Sequence, residues 1–187
     1  MIDSSYFVDV FETVVDDVRA DYNPIATAYN SPDKEPYYIY GHQLEITNRL
    51  TKKNDGSEKF EKYPLIALFQ DFTEDHGNPD PRIDYTIPFT VIIVASTENT
   101  YISKERYDNV FKTTLYPLYR LLLQKIDRSP YIITDSEERI KHLKTDRLFW
   151  GTAGTYGNQA LIFNDNLDAI EINFSGLDII KTYTQCQ

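Results

Sequence analysis

Cysteine is almost missing from this chain of 187 residues, and its one copy, Cys186, lies beside the C-terminus. No intramolecular disulfide can form and no cysteine cluster can hold metal, which suits a reducing compartment. Histidine is also scarce. His42, His76 and His142 are the only three, and none stands at a ligand spacing such as His-x-x-x-His. No run of about 18 apolar residues occurs, so no membrane span is expected. Met1–Ala20 carries Asp3, Asp9, Glu12, Asp16 and Asp17 where a signal peptide has a basic start and an apolar run, so none is expected. Positive charge is short as well: 19 Lys and Arg face 29 Asp and Glu, a net charge of −10. That disfavours gripping a nucleic-acid backbone. An acidic wall does let DNA pass without sticking, because it repels phosphate.

Apolar and aromatic residues are plentiful, at 41% and 14%. The chain can bury a sizeable core, and its length suits a single domain over residues 1–187. Fifteen tyrosines stand against one tryptophan. Tyrosine joins apolar area to a polar tip, which suits half-wet surfaces between subunits. A simple strand-rich composition accounts for the same bias.

The most apolar and β-branched stretch is Tyr85–Ala95. Val91–Val94 has no polar member, so it reads as a central strand covered on both faces. Pro88 lacks a ladder donor and marks an edge or bulge. Upstream, Phe7, Val10, Phe11, Val14 and Val18 predict a helix over Asp3–Ala20, capped by Asp3, Ser4 or Ser5 and stopped at Asn23-Pro24. Ile25–Pro36 reads as loop and Tyr37–Leu50 as an alternating strand. Residues 51–62, centred on Asn54-Asp55-Gly56-Ser57, form a flexible connection or hairpin tip.

Tyr63–Phe72 is a second buried strand. Thr73–Arg82, with two prolines and a glycine, must be a long hairpin loop projecting from the sheet, either an interaction arm or a disordered tip. Ser103–Ile126 is the main amphipathic helix, with Ser103 at its N-cap and Pro117 kinking or splitting it. Thr134-Asp-Ser-Glu137 matches a capping box for a short helix through Leu143. Asn158–Phe163 and Ala169–Phe174 are strands joined by a turn at Asn164-Asp165-Asn166. Ile170, Ile172 and Phe174 give the second of them a buried face; Glu171, Asn173 and Ser175 give it a wet one. The fold class is α+β: a mixed, mostly antiparallel sheet packed against an N-terminal helix and a long C-proximal helix.

Catalytic signatures are weak. His76 with Asp71, Glu74, Asp75, Asp80 and Asp84 gives either a carboxylate metal cluster or a solvated acidic loop. Gly151-Thr-Ala-Gly154-Thr-Tyr-Gly157 lacks the Lys-Ser/Thr of a P-loop, and positive φ near Trp150 explains its glycines better. Asp33 with Glu58-Lys59 and Glu61-Lys62 is the one nuclease-like hint, without the Glu-x-Lys spacing that a two-carboxylate metal site needs. No enzyme activity and no cofactor are expected.

Further stretches are Glu61-Lys62-Tyr63-Pro64-Leu65-Ile66-Ala67-Leu68, Arg106 through Tyr119, Arg147-Leu-Phe-Trp150-Gly151, and Asn166-Leu167-Asp168-Ala169-Ile170-Glu171-Ile172. In these the chain resembles tailed-phage neck and tail-completion proteins, the tail-terminator-like or head–tail joining group of phages of gut Bacteroidetes. The resemblance implies a homo-oligomeric ring around the DNA channel, between portal or connector and tail tube proteins, without catalytic residues. DNA would pass but not be specifically bound, and no membrane would be involved. The protein would sit in the virion, and in host cytoplasm during assembly. Glu74, Asp75, His76, Asp80 and Arg82 of the loop, with Tyr37, Tyr38 and Tyr40, are the expected contacts to neighbours. A metal-dependent nuclease of phage DNA metabolism and a small peptide-binding adaptor remain the alternatives.

Overall fold

The computed structural model describes the backbone of residues 6–52, 63–134, 140–155, 158–161 and 166–180. Its elements in chain order are α1 (Phe7–Ala28), β1 (Tyr37–Gly41), α2 (Gln43–Lys52), β2 (Leu65–Phe69) and β3 (Ile83–Ser96). Then come α3 (Ser103–Arg106), a π-helical segment (Tyr107–Leu115), α4 (Tyr116–Asp127) and β4 (Ile132–Ile133). The last are β5 (His142–Trp150), β6 (Thr152–Thr155), β7 (Asn158–Leu161) and β8 (Leu167–Ile180). The main sheet runs β1-β2-β3-β8-β4, with β5 also pairing β8; β6 and β7 form a separate hairpin. Only β1 and β2 are parallel, and every other pair is antiparallel. The class is therefore α+β, as the sequence implies.

β3 lies in mid-sheet because its central residues have no face to offer water. Val91 and Ile93 join the larger core with Phe7, Phe11, Val14, Leu118 and Leu122 from the helices. Ile92 and Val94 point the other way, into a smaller cluster with Ile46 and Leu50 of α2, Leu65, Ala67, Leu167 and Ala169. β8 shows both halves of its expected pattern. Ile170, Ile172 and Phe174 are buried, while Glu171, Asn173 and Ser175 lie on a wetter face beyond the reach of α2.

Pro88 sits at a bulge. The β3–β8 register slips between Ile87 and Phe89, where two residues of β8, Ser175 and Gly176, oppose one of β3. A proline offers the ladder no N–H, so the bulge falls where a donor is already lost. Gly176 has φ +158°, and a Cβ there would meet Thr86 Cγ2 at 3.0 Å.

Several boundaries differ from the sequence expectation. α1 does not stop at Asn23-Pro24 but runs on to Ala28, burying Tyr22 and Ala26. Pro24 and Ala20 are both exposed, so the carbonyl deprived of its partner faces water and the continued packing outweighs the lost bond. The N-cap is Tyr6 with no side-chain cap; Asp3, Ser4 and Ser5 lie outside the described residues. Tyr37–Leu50 is not one strand. Gly41 (φ +144°) ends β1, the Leu44 N–H finds His42 Nδ1 at 3.2 Å, and α2 follows with Ile46 and Leu50 on its buried side. Thr51 and Lys52 complete that helix, and 53–62 lie outside the described residues.

The main helical run keeps its expected span but not its expected start. Ser103 is its first residue, not its cap; the Ile102 N–H is taken by the Glu105 carboxylate at 2.9 Å. Pro117 does not split the run. It stands just inside α4, where π-helical pairing gives way to α-helical pairing, and the widened turn accommodates its ring and missing N–H. The expected short helix through Leu143 is overturned, since His142 and Leu143 begin β5; 135–139 lie outside the described residues. Phe149 (φ +55°) and Gly151 (φ +74°) flank Trp150, which is the positive-φ backbone expected there.

Replacing Gly176 by alanine forces a Cβ against Thr86 and strains the bulge. The Gly176→Ala protein is expected to lose about 1–3 kcal/mol of stability in chemical denaturation. Ser175→Ala, next to it, is expected to leave stability nearly unchanged.

Candidate functional site

Residues expected to reach a neighbour fall into two separate places. The loop 73–82 does not project freely. Its Asp75 N–H donates to the Thr86 carbonyl at 2.9 Å, and the Thr86 N–H returns the bond to the Asp75 carbonyl at 2.9 Å. Three side chains fold the loop on itself: Asp75 Oδ1 accepts from Gly77 N–H, Asn78 Oδ1 from Asp80 N–H, and Asp80 Oδ1 from Arg82 N–H. Such turns hold a backbone that has no ladder of its own. Asn78 Nδ2 then reaches Thr86 Oγ1 at 3.3 Å, and Thr86 Oγ1 donates to Asp178, which ties the loop to β3 and β8.

Within the loop the polar side chains pair with one another. His76 Nε2 lies 3.3 Å from Glu74, and its Nδ1 is 3.2 Å from the Asp84 carbonyl. The Arg82 guanidinium clasps Asp80 at 2.6 and 3.1 Å and holds its carboxyl down at about 2. Glu74, Asp75, His76 and Arg82 remain exposed.

The tyrosines of β1 part company, because strand residues alternate faces. Tyr38 and Tyr40 lie on the α1 side with ring centroids 6.1 Å apart, and Tyr38 packs against Phe11. Burial, and then the charge of Glu12, drive the Tyr38 phenol upward. Tyr37 belongs to the opposite cluster with Ile39. Only Tyr40 offers a largely exposed ring.

A more built surface lies where the helical run meets the edge strand β5. Ser103, Tyr107, Phe111, Tyr116, Asp146 and Leu148 line a hollow of about 220 Å³. Tyr116 Oη donates to Asp146 Oδ2 at 2.8 Å; burial, then this bond, push the phenol up to about 12. Lys144 joins Asp146 in an ion pair and places its Nζ 4.7 Å from the Tyr116 ring centroid. Farther along, Tyr119, Leu123, Gln124, Asp127, Ile140 and His142 line a second hollow of about 500 Å³. There His142 Nδ1 donates to the Ile140 carbonyl at 2.7 Å, so Nε2 accepts from Tyr119 Oη at 2.6 Å. The sequence pattern conceals this surface because the capping box at Thr134 predicts a helix through Leu143, which hides the alternation of β5. The signal was present in the lone edge-like run His142–Leu148 with its interleaved charges.

Among the described residues one ion pair is fully buried, Arg106–Asp168, and it holds the base of the same surface. Both side chains are fully buried, 2.9 Å apart, with the guanidinium 3.7 Å above the Phe149 ring. Arg106 also donates to the carbonyls of Tyr101 and Glu98, and Asp168 Oδ1 accepts from the Phe149 N–H. The pair thus pins the start of the helical run to β8 and to the irregular end of β5. Asp168 Oδ2 has no hydrogen-bond partner among the described residues.

Among the described residues no three His, Cys, Asp or Glu side chains converge as a metal-ligand set. Burial raises Asp33, and its suggested partners Glu58, Lys59, Glu61 and Lys62 lie outside the described residues. No helix among the described residues is long and apolar enough to cross a membrane. Comparison of the chain with protein-family models, curated proteins and solved structures finds no match in any of them.

Two measurements probe these arrangements. Truncating one partner of the buried pair, as in Asp168→Ala, is expected to cost about 3–5 kcal/mol in denaturation. The double variant Arg106→Met/Asp168→Leu should recover most of that loss. Carbon-detected titration should find Asp80 protonating near 2, and Arg82→Ala should return it to the ordinary carboxylate range. A loop moving freely in the wild type would leave Asp80 ordinary from the start.

Proposed function

We propose that this chain is a non-enzymatic subunit of a virion, forming an oligomeric ring at the head–tail junction or tail end around the DNA channel. One observation carries the reading. Three strands of the main sheet, β1, β4 and β5, are paired on one side only among the described residues, and β1 and β5 are the two longer ones. Of the eight exposed large apolar side chains among the described residues, five lie near β1 or β5: Tyr40 and Leu44 at one, Tyr107, Leu143 and Leu148 at the other. A subunit with two separate open edges can touch two neighbours, as a ring demands. The resemblance to neck and tail-completion proteins and the net charge of −10 agree with it, since an acidic lining repels passing DNA.

A small peptide-binding adaptor is the second reading, favoured by the partly aromatic hollows that lie beside the unpaired edge of β5. Light scattering on the purified protein, alone and mixed with portal or tail tube partner, separates them. A defined multimer, alone or with its partner, is expected. A strict monomer in both conditions overturns the ring and leaves the adaptor.

A further inference from the structure

β5 holds two large apolar side chains in water: Leu143 is 74% exposed and Leu148 40%. It pairs with β8 along one side, and among the described residues no strand pairs with the other. An open edge strand of this kind is a template for another strand. Its register against β8 is unbroken from His142 to Arg147, and the irregularity comes only between Arg147 and Trp150. The edge therefore keeps a regular register along the stretch where a second strand would lie.

We propose that in the free protein β5 pairs antiparallel with β5 of a second copy of this chain, about a two-fold axis at Thr145, so that two sheets join into one.

Charge selects that centre. A two-fold axis perpendicular to the sheet keeps every side chain on its own face, so directly opposed residues share the same parity. Opposed side chains in an antiparallel pair stand about 4.5–5.5 Å apart at Cβ, close enough for like charges to destabilise. An axis at Lys144 opposes lysine to lysine. An axis at Asp146 opposes aspartate to aspartate, and one at Arg147 opposes arginine to arginine. An axis at Thr145 sets Lys144 against the partner's Asp146, and Asp146 against the partner's Lys144. It also lays Leu143 along the aliphatic stem of the partner's Arg147. An axis at Thr145 opposes residues 143–147 to one another, all of them within the regular stretch His142–Arg147.

The surroundings fit the same register. Lys144 and Asp146 are already oriented on the helix-side face by Tyr116, through the 2.8 Å bond to Asp146 and the ring 4.7 Å from the lysine Nζ. Leu148 would stand opposite the partner's His142, beside the hollow of about 500 Å³ that Leu123 and Ile140 help to line. The exposed leucine thus gains an apolar seat, once in each direction.

The pairing does not depend on the ring. A polar ring would match β5 to a different strand of the next copy, and the two-fold register is the one that the residues of β5 favour when only free subunits are present.

Sedimentation equilibrium on the full chain tests it. The wild type is expected to be a dimer. Lys144→Asp and Asp146→Lys are each expected to lose the dimer, because each opposes like charges at two positions. An equimolar mixture of the two variants is expected to regain a mixed dimer, since acid again faces base at both positions; misfolding of either variant could not give that rescue. In a Cys186→Ser background, Thr145→Cys should cross-link to a covalent dimer on mild oxidation, and Leu143→Cys should not. A wild-type monomer at the highest soluble concentration overturns the pairing, as do single variants that dimerise like the wild type, or a mixture that forms no mixed dimer. Larger multimers unaffected by the variants would overturn it and leave the ring standing. A dimer that the variants dissolve, and that no portal or tube partner enlarges, would support it and count against the ring.

Discussion

The structure depends on one constraint: four consecutive apolar residues, Val91–Val94, cannot lie in a strand with a wet face. Both sides of the sheet must therefore be covered at that level, and both are. α1 and α4 press one side, and α2 with Trp150 closes the other. Apolar burial contributes about 25 cal/mol per Å² removed from water, which makes this double cover the main source of cohesion. The rest of the chain is arranged around it. β8 runs the full length of β3, and the single parallel strand β1 enters beside β2 so that α2 can cross over the second face.

Much of this was legible from residue pattern. The centre of β3, the bulge at Pro88, the long helical run from Ser103, and the two-faced character of β8 all follow from period and from the proline's missing donor. What escaped was decided by competition between local signals and distant packing. Pro24 breaks a helix only when nothing pays for its continuation, and here Tyr22 and Ala26 are buried beyond the point where sequence rules stop it. In Tyr37–Leu50 a two-residue alternation and a four-residue spacing overlap, and Gly41 switches one to the other.

The contact surface was harder to read. Glu74, Asp75, His76, Asp80 and Arg82 look like a free acidic arm in one dimension. In space they spend their hydrogen bonds on one another and on the neighbouring strand. The tyrosines of β1 look like a block and are divided by alternation between two faces. The β5 groove draws on residues from both sides of a segment that local capping rules assign to a helix. Tyr116 and Asp146, or Tyr119 and His142, meet only once the strand is laid along the helical run.

The two faces of the sheet are unequally guarded. The larger cluster takes side chains from α1, the π-helical segment, α4 and four strands, whereas the smaller relies on α2 for Ile46 and Leu50. α2 is a short helix that follows β1 through Gly41, and among the described helices it covers the smaller cluster alone. Its detachment would wet the back of β3 while the opposite core stayed intact. Amide exchange in such a protein would be layered, with the back of the sheet opening long before the front.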